Sequence, residues 1–339
     1  MPISSHLAQL EEPHVTAGRV FSLVAAELGL VEREFERQAR SNIQVISYIG
    51  DYLRASGGKR VRPALTLLST AAAGGDPSRP NVVRMATVME FLHTATLVHD
   101  DIIDNAETRR SRPSINSRFG NQTAVLMGDW LYMSAFETSL QERSLAVLDI
   151  LTAVTRRMTE GELLQLTTLG RADVSEEQYF DILTRKTAHL FSACCEIGAI
   201  LGGAGARARE ALRDYGLHLG GAFQLVDDLL DFTATDDALG KAAGVDLLEG
   251  KLTLPLIYLL RKNPAHRPAV QSVMRDGGYE AIARARLVEA AEASGALDEA
   301  RARARESAGA ARDALDALPD SDYREALRAL PTFILERDR

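Results

Sequence analysis

Apolar residues recur along this chain at intervals of three and four, within stretches rich in Ala, Leu, Glu and Arg, and β-branched alternation is scarce. That period belongs to amphipathic helices, so the pattern predicts an all-α protein. Gly and Pro punctuate it at Gly57-Gly58, Gly74-Gly75-Asp76-Pro77, Arg112-Pro113, Gly170 to Asp173, Gly202 to Gly205, Asn263-Pro264, Gly277-Gly278, Gly295 and Pro319. These breaks leave roughly ten to thirteen helices. Ser175-Glu176-Glu177-Gln178 reads as a capping box opening one of them, and Pro255 sits where a first helical turn tolerates proline. No repeat of fixed period and no linker divides the chain. Residues 1–339 are therefore read as one domain. Residues 1–40 are expected to form a peripheral or oligomer-facing helical region, and 278–339, rich in Ala, Arg and Glu, an outer layer of helices without candidate chemistry.

The 339 residues, 46% hydrophobic and 25% charged, are ample for a sizeable core. A formal net charge of −8 argues against general nucleic-acid binding and leaves phosphorylated substrates open, since local basic clusters and metals decide that. The two cysteines, Cys194 and Cys195, are adjacent in an apolar stretch and read as buried thiols of a reducing compartment. Met1 to Glu12 lacks the pattern of a signal peptide, and no apolar run approaches the ~18 residues of a membrane span. The expectation is a cytoplasmic protein that touches membranes at most peripherally.

Candidate chemistry centres on Asp100-Asp101-Ile102-Ile103-Asp104. Asp100 and Asp104 are one helical turn apart on a single face, and like charges so placed repel unless a cation lies between them. Asp227-Asp228-Leu229-Leu230-Asp231 repeats the spacing far downstream. A single triplet is as well explained by a solvated acidic face. Two copies, each after an apolar run (Leu97-Val98 and Leu225-Val226), point to carboxylates opening onto a shared cavity. That many hard oxygens suit Mg²⁺, which also binds substrate phosphates.

Basic elements complete the picture. Gly57-Gly58-Lys59-Arg60-Val61-Arg62-Pro63 precedes an apolar helix beginning Ala64-Leu65, so Lys59 and Arg62 project where a helix N-terminus favours anions. Arg109 and Arg110 follow the first triplet by about a turn and a half. Placed beside metal-binding carboxylates, they can hold a diphosphate. Lys186-Thr187 lie within one helix, and Lys241 and Lys251 each follow a glycine in loops suited to cover a ligand. His93 is two turns before Asp100 on the same face, fit to contact a phosphate or to be a satisfied core histidine. With Glu90 it forms a Glu-x-x-His pair of di-iron type. The only other match, Glu11 to His14, contains Pro13 and lies at the terminus, so that reading is discounted.

These motifs, in this order, resemble the trans-isoprenyl diphosphate synthases (polyprenyl synthetases), and among them the bacterial long-chain, octaprenyl-forming members. The likeness runs from Gly57 through Arg339 and includes Gly-Gly-Lys-Arg-x-Arg-Pro, both aspartate motifs, Arg109-Arg110, Lys186-Thr187, Gln224 and Gly-Lys-x-x-Gly-x-Asp. It implies the isoprenoid synthase fold, a helical bundle around a deep central cavity, working as a homodimer. Asp100 and Asp104, with Asp227 and the nearby Asp101, Asp228 and Asp231, would hold three Mg²⁺ ions on the allylic diphosphate. Arg109, Lys186, Lys241 and Lys251 would clasp that diphosphate. Lys59, Arg62, His93 and Arg110 would bind isopentenyl diphosphate. Thr187 and Gln224 would flank the allylic cation.

Chain length would be set below the metals by Ala95, Thr96 and Leu92, with Met133 or Phe136 as the stop. The small Ala95 and Thr96 imply products of about thirty to fifty carbons, forty by similarity, released with at most peripheral membrane contact. A shorter farnesyl or geranylgeranyl synthase is the first alternative. A class I terpene cyclase is the second, disfavoured by the intact second aspartate motif and the Gly-Gly-Lys-Arg-x-Arg-Pro run. A non-catalytic helical subunit would be expected to have lost the acidic triplets.

Overall fold

Gly216 and Gly220 stand one turn apart in the helix Ala206–Thr233, and a Cβ on either would meet the backbone at Phe191 O (2.6 Å) or Ala188 Cα (2.7 Å). Only glycine lets that helix lie so close to the neighbouring His189–Leu201, and the pair forms the centre of the bundle. The structure, a computed structural model, describes residues 17–55, 57–110, 112–234 and 243–337. It is all-α as expected; the only strands among the described residues are the antiparallel Thr108–Arg109 and Arg112–Pro113.

The other central helix, Pro80–Ile103, opens with proline in its first turn and is buried nearly all round from Val82 to Leu92. Helices Val61–Ala72 and Asn121–Ser139 pack along it. Each central helix is apolar just before its acidic C-terminal end, and residues of both aspartate motifs line one cavity. The capping box at Ser175 and the first-turn Pro255 are both present. Cys194 and Cys195 are fully buried, and burial pushes both thiols up.

Three expectations need correction. The described helical segments outnumber the ten to thirteen expected, because short pieces such as Ile115–Phe119 and Val245–Leu248 carry no periodic signature. The region 278–339 is not simply an outer layer. Helix Ala296–Ala314 buries Ala296, Ala300, Ala304, Ala308 and Ala311 as one stripe and packs along Ala206–Thr233. Nor is the described part of 1–40 merely peripheral: Phe35, in Ala25–Gln38, meets Phe91 edge-on at 4.5 Å in the core.

Candidate active site

The two acidic helix ends face a cavity of about 850 Å³. From Pro80–Ile103 its wall takes Glu90, His93, Thr96, Leu97 and Asp100, and from the cap of that helix Asp104, residues that recur on one face. Burial pushes the Asp100 carboxyl up to about 6; Lys186 opposes this, while Glu162 and Asp104 add to it. Asp104 receives Lys251 Nζ at 3.2 Å, and Lys251 also reaches Glu249 at 2.7 Å. Asp101 points elsewhere. It is 3% exposed and accepts Arg109 Nε and Nη2 at 2.6 Å each, so it anchors an arginine and does not line this cavity.

Across the cavity, Asp227 receives Arg337 Nη1 at 2.9 Å. Asp228 has both oxygens engaged: Tyr179 Oη donates to Oδ2 at 2.6 Å and Gln224 Nε2 to Oδ1 at 2.7 Å. Burial pushes it up to about 6. Asp231 is buried outside the cavity lining and accepts the Asp246 backbone N–H at 3.1 Å. Asp246 itself lines the cavity, pushed up to about 8 by burial and by Asp228 and Asp231.

The basic wall comes from the segment before Val61–Ala72 and from a hairpin. Lys59 and Arg62 line the cavity, with Arg62 lying over the Phe191 ring at 5.0 Å. Its Nε has no hydrogen-bond partner among the described residues, a donor suited to an oxyanion. Arg60, left-handed at the helix N-cap, is instead structural: it donates to Glu90 Oε1 at 2.8 Å and to Glu32. Glu90 is thus committed to arginine and not to a metal pair with His93. Desolvation and the guanidinium groups of Arg62 and Arg110 hold His93 well below its ordinary value, so it is a neutral donor or acceptor. Arg109 and Arg110 sit on the two-residue strand pair and the turn beyond it, not on a continued helix, because the helix stops at Ile103 with Asp104 as its cap. Arg110 donates to the Gly57 carbonyl and lies against Gly58, where a Cβ would meet Nη1 at 2.7 Å.

Lys186 and Thr187 lie in a π turn, Thr184–Ala188, not a regular α-helix. Such turns hold one extra residue and often mark functional sites. Lys186 meets Glu162 and donates to Gln165 Oε1 at 3.0 Å; Thr187 Oγ1 donates to Gln224 Oε1 at 2.9 Å. Lys251 lines the cavity, whereas Lys241 lies outside the described residues.

Of the five chain-length candidates only Thr96 lines the cavity. Ala95 and Leu92, five and eight residues before Asp100, lie about 140° and 80° round the helix from it and are fully buried. Phe136 is part-buried against the core. Met133 is 62% exposed, so it cannot stop a chain from inside this protomer's cavity. Arg337, Tyr179, Glu162 and Gln165 also reach this cavity or its lining residues without having been singled out in the sequence, whereas Asp246 is the last residue of Gly-Lys-x-x-Gly-x-Asp.

The donor set fits a hard divalent ion. Asp100, Asp104 and Asp227 offer carboxylate oxygen only, and two of them are met by Lys251 and Arg337, cations where a metal charge would serve. Among the described residues no group of three or more His, Cys, Asp or Glu stands together as an ion cage.

The polyprenyl synthetase family model matches residues 43–290. The chain is 38% identical over 322 residues to octaprenyl diphosphate synthase of Escherichia coli K12, covering 95% of this chain and 99% of that protein. It is 37% identical over 293 residues to a short chain isoprenyl diphosphate synthase of Methanothermobacter thermautotrophicus, covering 85% and 89%. A polyprenyl synthase from Caulobacter crescentus CB15, solved with calcium and isoprenyl diphosphate, superposes with a TM-score of 0.89 at 37% identity, over 96% of this chain and 98% of that one. On this evidence of sequence and fold, the chain belongs to the polyprenyl synthetase family, a family of prenyltransferases built on the isoprenoid synthase fold.

Proposed function

We propose that this enzyme is an all-trans long-chain polyprenyl diphosphate synthase, adding isopentenyl diphosphate to an allylic diphosphate with Mg²⁺. The observation that carries it is the facing of Asp100 and Asp104 with Asp227 across one cavity, walled by Lys59, Arg62, Arg109, Arg110, Lys186 and Lys251. Lys59, Arg62, His93 and Arg110 bind isopentenyl diphosphate. Arg109, held on Asp101 by Nε and Nη2, clasps the allylic diphosphate with Lys186, Lys241 and Lys251.

Mg²⁺, when bound by Asp100, Asp104 and Asp227, supplies fixed positive charge at the leaving diphosphate. The basic side chains hold the same oxygens, so the allylic C–O bond breaks toward charge already in place. Thr187 and Gln224 set polar oxygens beside the resulting cation. The isopentenyl double bond attacks that cation, and the adduct loses a proton to the released diphosphate. The apolar wall formed by Leu97, Ile182, Leu183 and Leu190 excludes water that would quench the cation.

Relatives of nearly equal identity differ in product length, so length rests on the cavity wall. Thr96, one turn below Asp100, is small and lets a chain pass, and similarity to the octaprenyl diphosphate synthases supports a product of about forty carbons within a range of about thirty to fifty. Leu126, Met133 and Leu140, spaced by seven and all exposed, support pairing with a second copy as a homodimer. No helix among the described residues is long and apolar enough to cross a membrane, in keeping with work in the cytoplasm and at most peripheral membrane contact. Diphosphate release should require both substrates and Mg²⁺. Turnover of an allylic diphosphate alone, as a cyclase would give, refutes the reading.

A further inference from the structure

Helix Glu176–Leu183 runs directly into the π turn Thr184–Ala188. Tyr179 and Thr187, eight residues apart, would stand about 80° out of phase on a straight α-helix. The extra residue of the π turn brings Thr187 back to the face of Tyr179. Both then meet one face of Ala206–Thr233, where Gln224 and Asp228 stand a turn apart. Tyr179 Oη donates to Asp228 Oδ2 (2.6 Å), Gln224 Nε2 to Asp228 Oδ1 (2.7 Å) and Thr187 Oγ1 to Gln224 Oε1 (2.9 Å).

The direction of this chain is forced. A carboxylate only accepts, so Gln224 must present its NH₂ to Asp228 and its oxygen to Thr187. Thr187 then spends its only proton on Gln224, which leaves its hydroxyl lone pairs for the cavity. We propose that Tyr179 is a positioning residue that holds this chain of hydrogen bonds in place. By holding Asp228 through Oδ2, it keeps acceptor oxygen, and not a hydroxyl proton, toward the place where the allylic cation forms. Without the phenol donor, Asp228 Oδ2 has no fixed partner, and the carboxylate that orients the Gln224 amide is free to turn. The phenol is well placed to act as an anchor. Tyr179 is 7% exposed and edge-on to Phe180 at 5.4 Å, and its helix is pinned by the Ser175 capping box and by Tyr258 Oη on Glu176 at 2.7 Å.

The inference rests on the prenyl-transfer reading above. Tyr179→Phe keeps the ring and removes the donor. In purified full-length enzyme it should lower kcat roughly 10- to 100-fold, as loss of an outer-shell partner does, with both KM values and the Mg²⁺ midpoint unchanged. In a Thr187→Val background the same change should have little further effect, because both act through one chain. Unchanged kcat, full additivity with Thr187→Val, or a raised Mg²⁺ requirement overturns the proposal; the last would make Asp228 a metal ligand served by Tyr179. A wild type that makes no prenyl product refutes the function and leaves the relay to be judged by NMR. The Gln224 side-chain NH₂ signals, assigned by their loss in Gln224→Glu, should be protected from exchange in wild type and unprotected in Tyr179→Phe. Protection retained in Tyr179→Phe overturns the relay whatever the activity.

Discussion

Gly161 lies where helix Leu145–Thr168 crosses the π turn, and a Cβ there would meet Arg185 Cβ at 2.8 Å, Lys186 Cγ at 2.9 Å and the Lys186 backbone nitrogen at 3.1 Å. Ordinary contact begins at 3.4 Å, so Gly161→Ala must separate the elements by 3.4 − 2.8 = 0.6 Å. The atoms in the way include backbone and a Cβ, which rotamer changes cannot move. Overpacking of this kind costs about 1–3 kcal/mol of stability. The functional loss should be larger in proportion, because Lys186 and Thr187 ride on the displaced turn. A 1 Å misplacement costs about 10²-fold in rate, so roughly 10-fold or more is expected here. Incorporation of labelled isopentenyl diphosphate measures the rate, and thermal circular dichroism the stability. Gly309→Ala is the matched control: it makes the same change inside helix Ala296–Ala314 with nothing within 4 Å, and should stabilise by about 0.4–1 kcal/mol. Wild-type turnover in Gly161→Ala would show that the π turn does not position the chemistry.

Asp100→Ala or Asp227→Ala should cut turnover by orders of magnitude with an unchanged circular dichroism spectrum, since each removes a cavity carboxylate and little packing; near-normal rates in both would sink the assignment. Lys59→Ala and Arg62→Ala should mainly raise KM for isopentenyl diphosphate, each lost charge-assisted bond costing about 1.5–3 kcal/mol. A selective rise in the allylic KM would mean that the two pockets are exchanged. Thr96→Phe should shorten the product, read by chromatography of the dephosphorylated chains, because Thr96 lines the cavity a turn below Asp100. Ala95→Phe, buried outside that wall, should act mainly on stability, and the opposite pattern between the two would refute the assigned face.

What could be read in advance was what a single helix encodes. The four-residue spacing placed Asp100 with Asp104, and the seven-residue step put His93 on their face; both follow from 3.6 residues per turn. The same rule, applied without its rotation, misplaced Ala95 and Leu92. Pairings between distant segments were not legible. Arg337 meets Asp227 only because helix Asp322–Glu336 returns to the bundle, and nothing local to either residue marks that contact. Tyr179 shares a partner face with Thr187 only through the π turn, which no local sequence pattern marks. Helical counting does not carry from the triplet to Arg109-Arg110, since Asp104 ends that helix and Asn105 turns left-handed at φ 51°.

The most direct measurement is to incubate the purified chain with Mg²⁺, farnesyl diphosphate and excess isopentenyl diphosphate, and to size the products by mass spectrometry. An open wall at Thr96 predicts successive all-trans additions past twenty carbons, and similarity to the octaprenyl diphosphate synthases an end near forty, within about thirty to fifty. Products that stop at fifteen or twenty carbons contradict long-chain synthesis, and the absence of any elongated diphosphate contradicts prenyl transfer itself.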